Sequence, residues 1–315
     1  MHNKISVIIP TMNRVKTLID TMNSLCESSV YPNEIIIIDQ STNEDSQKEI
    51  RDYVLSLPLN VRYFHQEPSL TKARNTGFEK AENEILVFMD DDVIVPKDTF
   101  KSIETVMSDD KISMISGLNL NGGQENSKMG YIFGKKSYKN RFIGHVTKSV
   151  FGRFPVVINS RAETQWAMGF FFVVRKSLVS KWNLAWDERL ISYGYPEDLD
   201  FSYRYYLKSR NEGLQCIIDP QISVYHMVSK EWRETARKVT FMCIINREYL
   251  SYKFGWGFSS RLRTRWANFG MFLQRLLKKD CCLDVLKAQF YCDRYRKDIK
   301  NGNLHTELYD VKKKQ

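Results

Sequence analysis

Short apolar runs alternate with amphipathic stretches along the first 120 residues, and the alternation is regular enough to predict elements. Residues 5–9 are an apolar run closed by Pro10, as in a buried strand. Asn13 then stands where a helix cap would, ahead of Val15, Leu18, Ile19, Met22 and Leu25 on one helical face. A second buried strand is predicted over 34–38, ending at Asp39, followed by a turn over 40–43 and a polar helix to about Leu57. Residues 61–64 read as a strand, 70–81 as a helix and 85–89 as a further strand. Strands alternating with helices of this length predict a mostly parallel sheet with helices on both faces.

Beyond Pro96 the pattern gives one more helix and a strand over 113–118, then weakens. Residues 119–161 are rich in Gly, Asn, Lys and Ser and carry no clear period, so they read as a loop region suited to an acceptor site or an insertion. Residues 168–174 are strand-like and 197–208 helical. Two short strands are expected at 216–218 and 222–225, ahead of His226. From residue 230 the chain reads as helical and basic.

The apolar run at 85–89 ends abruptly in Asp90, Asp91 and Asp92. Uncompensated charge is costly in an apolar core, so the strand must end there. That puts the carboxylates at the carboxyl end of a strand, where open α/β sheets bind ligands. Alternate residues of extended backbone point the same way, so Asp90 and Asp92 can share a ligand while Asp91 faces away. Two hard oxygen donors at this spacing suit Mg²⁺ or Mn²⁺; the plain alternative is an acidic turn.

Composition narrows the field only modestly. The 315 residues have room for one large α/β domain with an extension, or for two domains, and 43% hydrophobic with 27% charged residues is ordinary for a folded protein. A net charge of +10 favours an anionic partner: a nucleotide, a lipid surface or a nucleic acid. The six cysteines form no C-x-x-C pair and no zinc spacing, which fits reduced thiols in a cytoplasmic protein. No leader pattern and no membrane-spanning apolar run is seen.

Each early strand ends in polar residues that can meet at one sheet edge: Thr11, Asn13 and Arg14, then Asp39, Gln40 and Ser41, then the three aspartates. Such convergence builds a nucleotide crevice. The glycine-rich phosphate loops are absent, so phosphate charge must be met by metal and by basic side chains. Lys72 and Arg74 at a helix start are candidates, and the plain alternative is a solvated basic face. Glu197 and Asp198 open a helix after Pro196, where they either satisfy the helix dipole or serve as a general base. Asp200 is placed to pair with Arg204.

The motifs Val7-Ile8-Ile9-Pro10-Thr11-Met12-Asn13-Arg14, Glu34-Ile35-Ile36-Ile37-Ile38-Asp39-Gln40-Ser41, Lys72-Ala73-Arg74-Asn75-Thr76-Gly77, Phe88-Met89-Asp90-Asp91-Asp92 and Glu197-Asp198-Leu199-Asp200 occur in this order. With Trp166-Ala167-Met168-Gly169 and Trp186-Asp187-Glu188-Arg189-Leu190, they resemble a family 2 glycosyltransferase of the GT-A fold, over about residues 4–228. The resemblance implies a catalytic domain over 1–228, with a nucleotide half to about 118 and an acceptor half from 119, followed by a helical basic region over 229–315. It implies that Thr11, Arg14 and Asp39 hold the base with Ser41 nearby, that Lys72 and Arg74 contact base or diphosphate, and that Asp90 and Asp91 line the donor. Asp92 would bind Mn²⁺ or Mg²⁺, helped by Asp90 and His226. Asp198 would be the catalytic base, with Glu197 orienting the acceptor or sharing the role. Trp166 and Tyr195, with Gly169, are candidates to meet an acceptor sugar by stacking, the plain alternative being core or wall. Gln40 replaces the acidic residue common at that place. The implied reaction is inverting transfer from a nucleotide-sugar to a glycan or lipid-linked acceptor, in surface polysaccharide synthesis.

The tail adds a separate expectation. Residues 249–279 contain no acidic side chain, while Phe258, Leu262, Trp266, Phe269, Phe272, Leu273, Leu276 and Leu277 recur at helical spacing. This pattern suits a helix lying on an anionic membrane from the cytoplasmic side, or one packed on the catalytic domain with a basic outer face. A haloacid-dehalogenase-type phosphatase is the rival enzyme, but its Asp-x-Asp belongs on the first strand. A non-catalytic nucleotide-sugar or glycan binder would have to lack an acidic cluster that is present here. Nucleic-acid binding rests on charge alone, without a motif.

Overall fold

The computed structural model describes residues 4–122, 132–134, 144–153, 158–191, 195–229, 235–280 and 282–305. The first half is built of β1 (Ile5–Thr11), α1 (Val15–Cys26), β2 (Glu34–Asp39), α2 (Glu44–Ser56), β3 (Val61–His65), α3 (Leu70–Lys80), β4 (Ile85–Met89), β5 (Val93–Ile94), α4 (Thr99–Met107) and β6 (Ile112–Asn119). Next come the two-residue strands β7 (His145–Val146), β8 (Gly152–Arg153) and β9 (Ala162–Glu163), then β10 (Phe171–Arg175), α5 (Lys176–Lys181), α6 (Glu197–Asn211) and β11 (Gln215–His226). Four helices close the described chain: α7 (Ala236–Lys253), α8 (Gly257–Leu277), α9 (Cys282–Arg294) and α10 (Arg296–Lys300).

Nine strands form one sheet in the order β3-β2-β1-β4-β10-β6-β11-β5, with β9 on β11, and β7 and β8 pair as a separate two-stranded sheet. The run from β3 to β4 is parallel, as the alternating pattern predicts. β1, β2 and β4 are buried along their whole length because helices cover both faces, while β3 at the sheet edge is half-buried. β10 enters antiparallel between β4 and β6 with all five residues buried. Two apolar clusters line the faces of the sheet, one under α1, α2 and α4 and the other under α3 and α6. Helix α3 lies close on β1: a Cβ on Gly77 would come within 2.3 Å of Ile8.

Three expectations need correction. Asn13 is not a helix cap. Arg14 takes that position without a side-chain bond, and Asn13 adopts a left-handed conformation (φ 54) in which its Oδ1 accepts from the Thr42 and Asn43 amides. Its short amide side chain suits that backbone region, and it ties the loop after β1 to the loop after β2. The two short strands expected near Cys216 and Ile222 are one strand, β11, with its register interrupted between Ile218 and Ser223. Pro220 lacks an amide proton and falls within the interruption, which is why the pattern looked broken. In the expected loop region 119–161, the described part includes β7 and β8, and residues 123–131, 135–143 and 154–157 lie outside the described residues.

The C-terminal helices share a third apolar cluster with the sheet domain. Phe241, Ile244, Ile245 and Leu250 of α7 pack with Val146, Trp166, Leu190, Leu199 and Ile218.

Candidate active site

The parallel register brings Thr11 and Asp39 side by side at the ends of β1 and β2, and the turn after β4 comes up beside them. The three aspartates there separate by direction. Asp91 turns inward: Thr11 Oγ1 donates to its Oδ2 at 2.7 Å and Arg14 Nη1 to its Oδ1 at 2.8 Å. Thr21 Oγ1 holds its carbonyl at 2.7 Å. Asp91 and Arg14 are thereby committed to each other, and they fix the turn that presents the other two carboxylates.

Asp90, just past the end of β4, and Asp92 in the turn converge with His226 at the end of β11. One ligand atom from each of the three lies within 4.8 Å of the other two. The His226 ring is stacked on Phe170, with centroids 4.9 Å apart, and its strand end pairs with Val93. Asp92 Oδ2 accepts from the Ser229 amide at 2.9 Å, whereas its buried Oδ1 has no hydrogen-bond partner among the described residues. His226 Nε2 lies 3.2 Å from that oxygen, an ion pair only when the ring is protonated. A buried carboxylate oxygen left unbonded is costly. Two hard oxygens and one imidazole nitrogen converging on the same space are a donor set that fits Mn²⁺ or Mg²⁺.

The second acidic cluster opens α6. Arg74, 1% exposed, joins the two clusters: its Nη1 donates to Glu197 Oε1 at 2.6 Å and its Nη2 to Asp90 Oδ1 and to the Gly169 carbonyl, both at 3.2 Å. Its guanidinium also lies 4.5 Å from the Trp186 ring centroid. Asp198 Oδ2 accepts from the Gly169 amide at 2.9 Å. A Cβ on residue 169 would press to 3.0 Å from Arg74 and 3.1 Å from Asp198, so glycine is the residue that lets the three meet. Burial raises both acids. Glu197 is pushed up to about 7, with the neighbouring Asp198 charge adding to burial and Arg74 opposing it. Asp198 is raised by burial, against the pull of the Gly169 amide.

The remaining expected residues divide. Asp39 is fully buried, accepting from the Tyr63 hydroxyl at 2.7 Å and from the Ser41 amide at 2.8 Å. Ser41 Oγ accepts from the Asn13 amide at 2.8 Å. Gln40 Oε1 accepts from the Ser69 amide at 2.8 Å, which holds the start of α3. Lys72 is exposed on the first turn of α3. Trp166 is 7% exposed in the third apolar cluster, and its indole N–H donates to the Arg153 carbonyl at 3.2 Å, so it packs as a core residue. Tyr195 is half-buried just before α6.

Several groups supporting the site escaped the sequence reading because they lie far away along the chain. Asn246 of α7 donates to the Tyr195 carbonyl at 2.8 Å. Lys253 of the same helix donates to Asp187 at 2.6 Å and to Asp200 at 2.8 Å, and the Tyr249 hydroxyl reaches Asp187 at 2.7 Å. Their spacing of three and four residues along α7 was the available signal. The expected pair of Asp200 with Arg204 is present at 2.9 Å.

Residues 6–181, over half the chain, match the family model described as glycosyl transferase family 2. Chondroitin synthase of Escherichia coli is 30% identical over 116 residues, which are 35% of this chain and 17% of that protein. The poly(ribitol-phosphate) β-N-acetylglucosaminyltransferase TarS of Staphylococcus aureus is 28% identical over 127 residues, 38% of this chain and 22% of that one. The matches thus span about a fifth of each of these relatives. Among solved structures, GalNAc-T7 with UDP, GalNAc and Mn²⁺ aligns with a TM-score of 0.60 at 20% identity, covering 79% of this chain and 47% of that one. S. aureus TarS 1–349 in complex with UDP-GlcNAc aligns at 0.57 and 16% identity, covering 97% and 90%. A mannosyltransferase from Pyrobaculum calidifontis with GDP-Man and Mn²⁺ aligns at 0.55 and 14%, covering 100% and 89%.

Proposed function

The chain belongs to glycosyltransferase family 2, and on that premise we propose that it moves one sugar from a nucleoside-diphosphate donor to a hydroxyl of a glycan or lipid-linked acceptor, inverting the anomeric carbon. The observation that carries this reading is the meeting of two acidic clusters through one buried arginine: Asp90, Asp92 and His226 on one side, Glu197 and Asp198 on the other. The first cluster would hold Mn²⁺ or Mg²⁺. When bound, the metal supplies positive charge against the diphosphate that leaves. Solved neighbours carry UDP or GDP-Man together with Mn²⁺, which supports the donor class and the metal for this chain.

In this reading Thr11, Asp39 and Ser41 line the base end of the donor site, and exposed Lys72 is free to swing toward the diphosphate. Arg14 and Arg74 hold the carboxylates in place. Asp198 takes the proton as the acceptor oxygen attacks. The new C–O bond forms on the face opposite the diphosphate, the bond from the anomeric carbon to phosphate oxygen breaks, and the diphosphate leaves with the bonding pair. One displacement inverts the centre, and no covalent intermediate is required. Glu197, pinned by Arg74, orients the acceptor or shares the role of this base. Gly169 and Tyr195 flank it on the acceptor side. The work would be done at the cytoplasmic face of the membrane, where lipid-linked acceptors for a surface polysaccharide are presented.

A panel of UDP- and GDP-sugars, each incubated with Mn²⁺, with Mg²⁺ and with chelator, tests the class. Release of nucleotide from one donor, abolished by chelator, is expected. Absence of release and of binding across the whole panel would contradict it.

A further inference from the structure

Helix α8 is amphipathic in the reverse sense. Its buried residues are Ser260, Arg261, Thr264, Ala267, Asn268 and Gly270, all polar or small. Six of its large apolar residues point outward: Phe258 is 68% exposed, Leu262 51%, Trp266 49%, Phe269 46%, Leu276 51% and Leu277 76%, while Met271 and Phe272 pack against the third apolar cluster. At 3.6 residues per turn these six fall in one band about 100° wide. The helix cannot roll to bury them, because its inward groups are committed. Ser260 Oγ donates to the Lys148 carbonyl at 2.6 Å, Asn268 Oδ1 accepts from the buried Arg247 at 2.9 Å, and Asn268 Nδ2 donates to Gln289 at 2.7 Å. Among the described residues the band is met by residues 132–133 and by its own helix: Trp266 donates its indole N–H to the Ile132 carbonyl, Phe133 packs against Trp266 and Phe269, and Phe269 stacks on Phe272.

The surroundings select the occupant. Arg263, Lys278 and Lys279 are exposed on or next to this helix, and residues 249–279 carry no acidic side chain. A second copy docked face to face would set these like charges against each other, which disfavours a dimer. An anionic lipid surface accepts both parts, taking the apolar band below the headgroups and the cations among them. Among the described residues no helix is long and apolar enough to cross a membrane, so the contact is one of lying on the surface.

We infer that α8 is a docking face for an anionic membrane, inserted through Phe258, Leu262, Trp266, Phe269, Leu276 and Leu277 and held by Arg263, Lys278 and Lys279. The inference rests on the proposed transferase only in giving a membrane-side acceptor its reason. Binding of UDP, measured in parallel, separates failure of one from failure of the other.

The test is co-sedimentation of the full chain with vesicles of phosphatidylcholine alone and of phosphatidylcholine mixed with phosphatidylglycerol. Wild type should sediment with the mixed vesicles and only weakly with the neutral ones. Combined Phe258→Ser, Leu262→Ser and Leu277→Ser should abolish sedimentation with an unchanged thermal midpoint, since all three side chains are more than half exposed. Combined Arg263→Ser, Lys278→Ser and Lys279→Ser should weaken partitioning about 100-fold at low salt, and by less at high salt. This charge variant alters no apolar packing, so it keeps the test decisive if the first variant misfolds. No sedimentation of wild type, or equal sedimentation of wild type and charge variant, overturns the inference. So does a wild-type dimer in ultracentrifugation that the apolar variant dissolves while no vesicle binding is seen.

Discussion

Asp90, Asp91 and Asp92 are chemically identical, and backbone direction alone gives them different work. Asp91 is spent on Thr11 and Arg14, and its neighbours converge with His226. The pairing of Asp90 with Asp92 was legible in the sequence although a turn after β4, not the strand, sets it, and the placement of Glu197 and Asp198 at the start of a helix was legible too. Arg74 was not legible in its observed setting. Nothing local in Lys72-Ala73-Arg74 says that the arginine is buried between carboxylates while the lysine is exposed. The acid pair yields a prediction at this scale. Asp198→Asn should lower transfer by roughly 10²–10⁴-fold, the usual span for a lost general base, with donor affinity unchanged. Because burial and the Asp198 charge push Glu197 up to about 7, the pair holds a proton below that pH. Asp198, itself raised by burial, must be ionised to act, so the rate should rise with pH above the ordinary carboxylate range, and Glu197→Gln should move that limb because the two acids share the buried site. The sign for stability is opposite: a carboxyl whose folded pKa is raised costs the folded protein stability as pH rises from the ordinary carboxylate range through about 7. A pH–rate profile of both variants decides. An unshifted limb in Glu197→Gln would dissociate the pair.

Elements with a strong period were readable, and those defined by pairing were not. β1 to β4 follow from apolar runs punctuated by Pro10, Asp39 and Asp90. β5 and β9 have two residues each and exist only because β11 runs past them. The least readable element in its role was α7. Its hydrophobic residues announce a helix, but its polar face acts at a distance, with Asn246, Tyr249 and Lys253 gripping Tyr195, Asp187 and Asp200 on both sides of the start of α6. Burial alone would raise Asp187, yet Arg189, Lys253 and Tyr249 outweigh it and hold its carboxyl well below the usual range. Lys253→Met would leave Asp187 and Asp200 short of one cation, a loss of about 3 kcal/mol on the scale of broken buried pairs. Because α6 carries Glu197 and Asp198, kcat should also fall roughly 10–100-fold while donor affinity holds, as expected when a reacting group is misplaced. Lys253→Arg should recover most of both. A lower thermal midpoint with kcat intact would restrict Lys253 to stability.

At the scale of the whole molecule, sequence and structure meet most closely in the parallel half and least in the tail. The sheet half is legible because each element announces itself locally and parallel α/β architecture leaves few ways to assemble the elements. The tail had two readings, packed helix or membrane helix; α7 is buried against the sheet domain, while α8 buries polar and small residues and leaves six large apolar ones exposed. The basic residues divide likewise. Arg261 faces Glu248 and Arg265 pairs with Asp293, which leaves Arg263, Lys278 and Lys279 outward. Everything proposed for the chemistry depends on the donor set at Asp90, Asp92 and His226, so the most direct measurement is calorimetry of UDP and of GDP binding with Mn²⁺ and with chelator. Wild type should bind one of the two nucleotides in a Mn²⁺-dependent manner. Asp92→Asn, whose amide oxygen is a weaker neutral ligand, should fold normally and lose that dependence. Metal-dependent affinity undiminished in Asp92→Asn, or wild-type binding indifferent to chelator, would contradict the account.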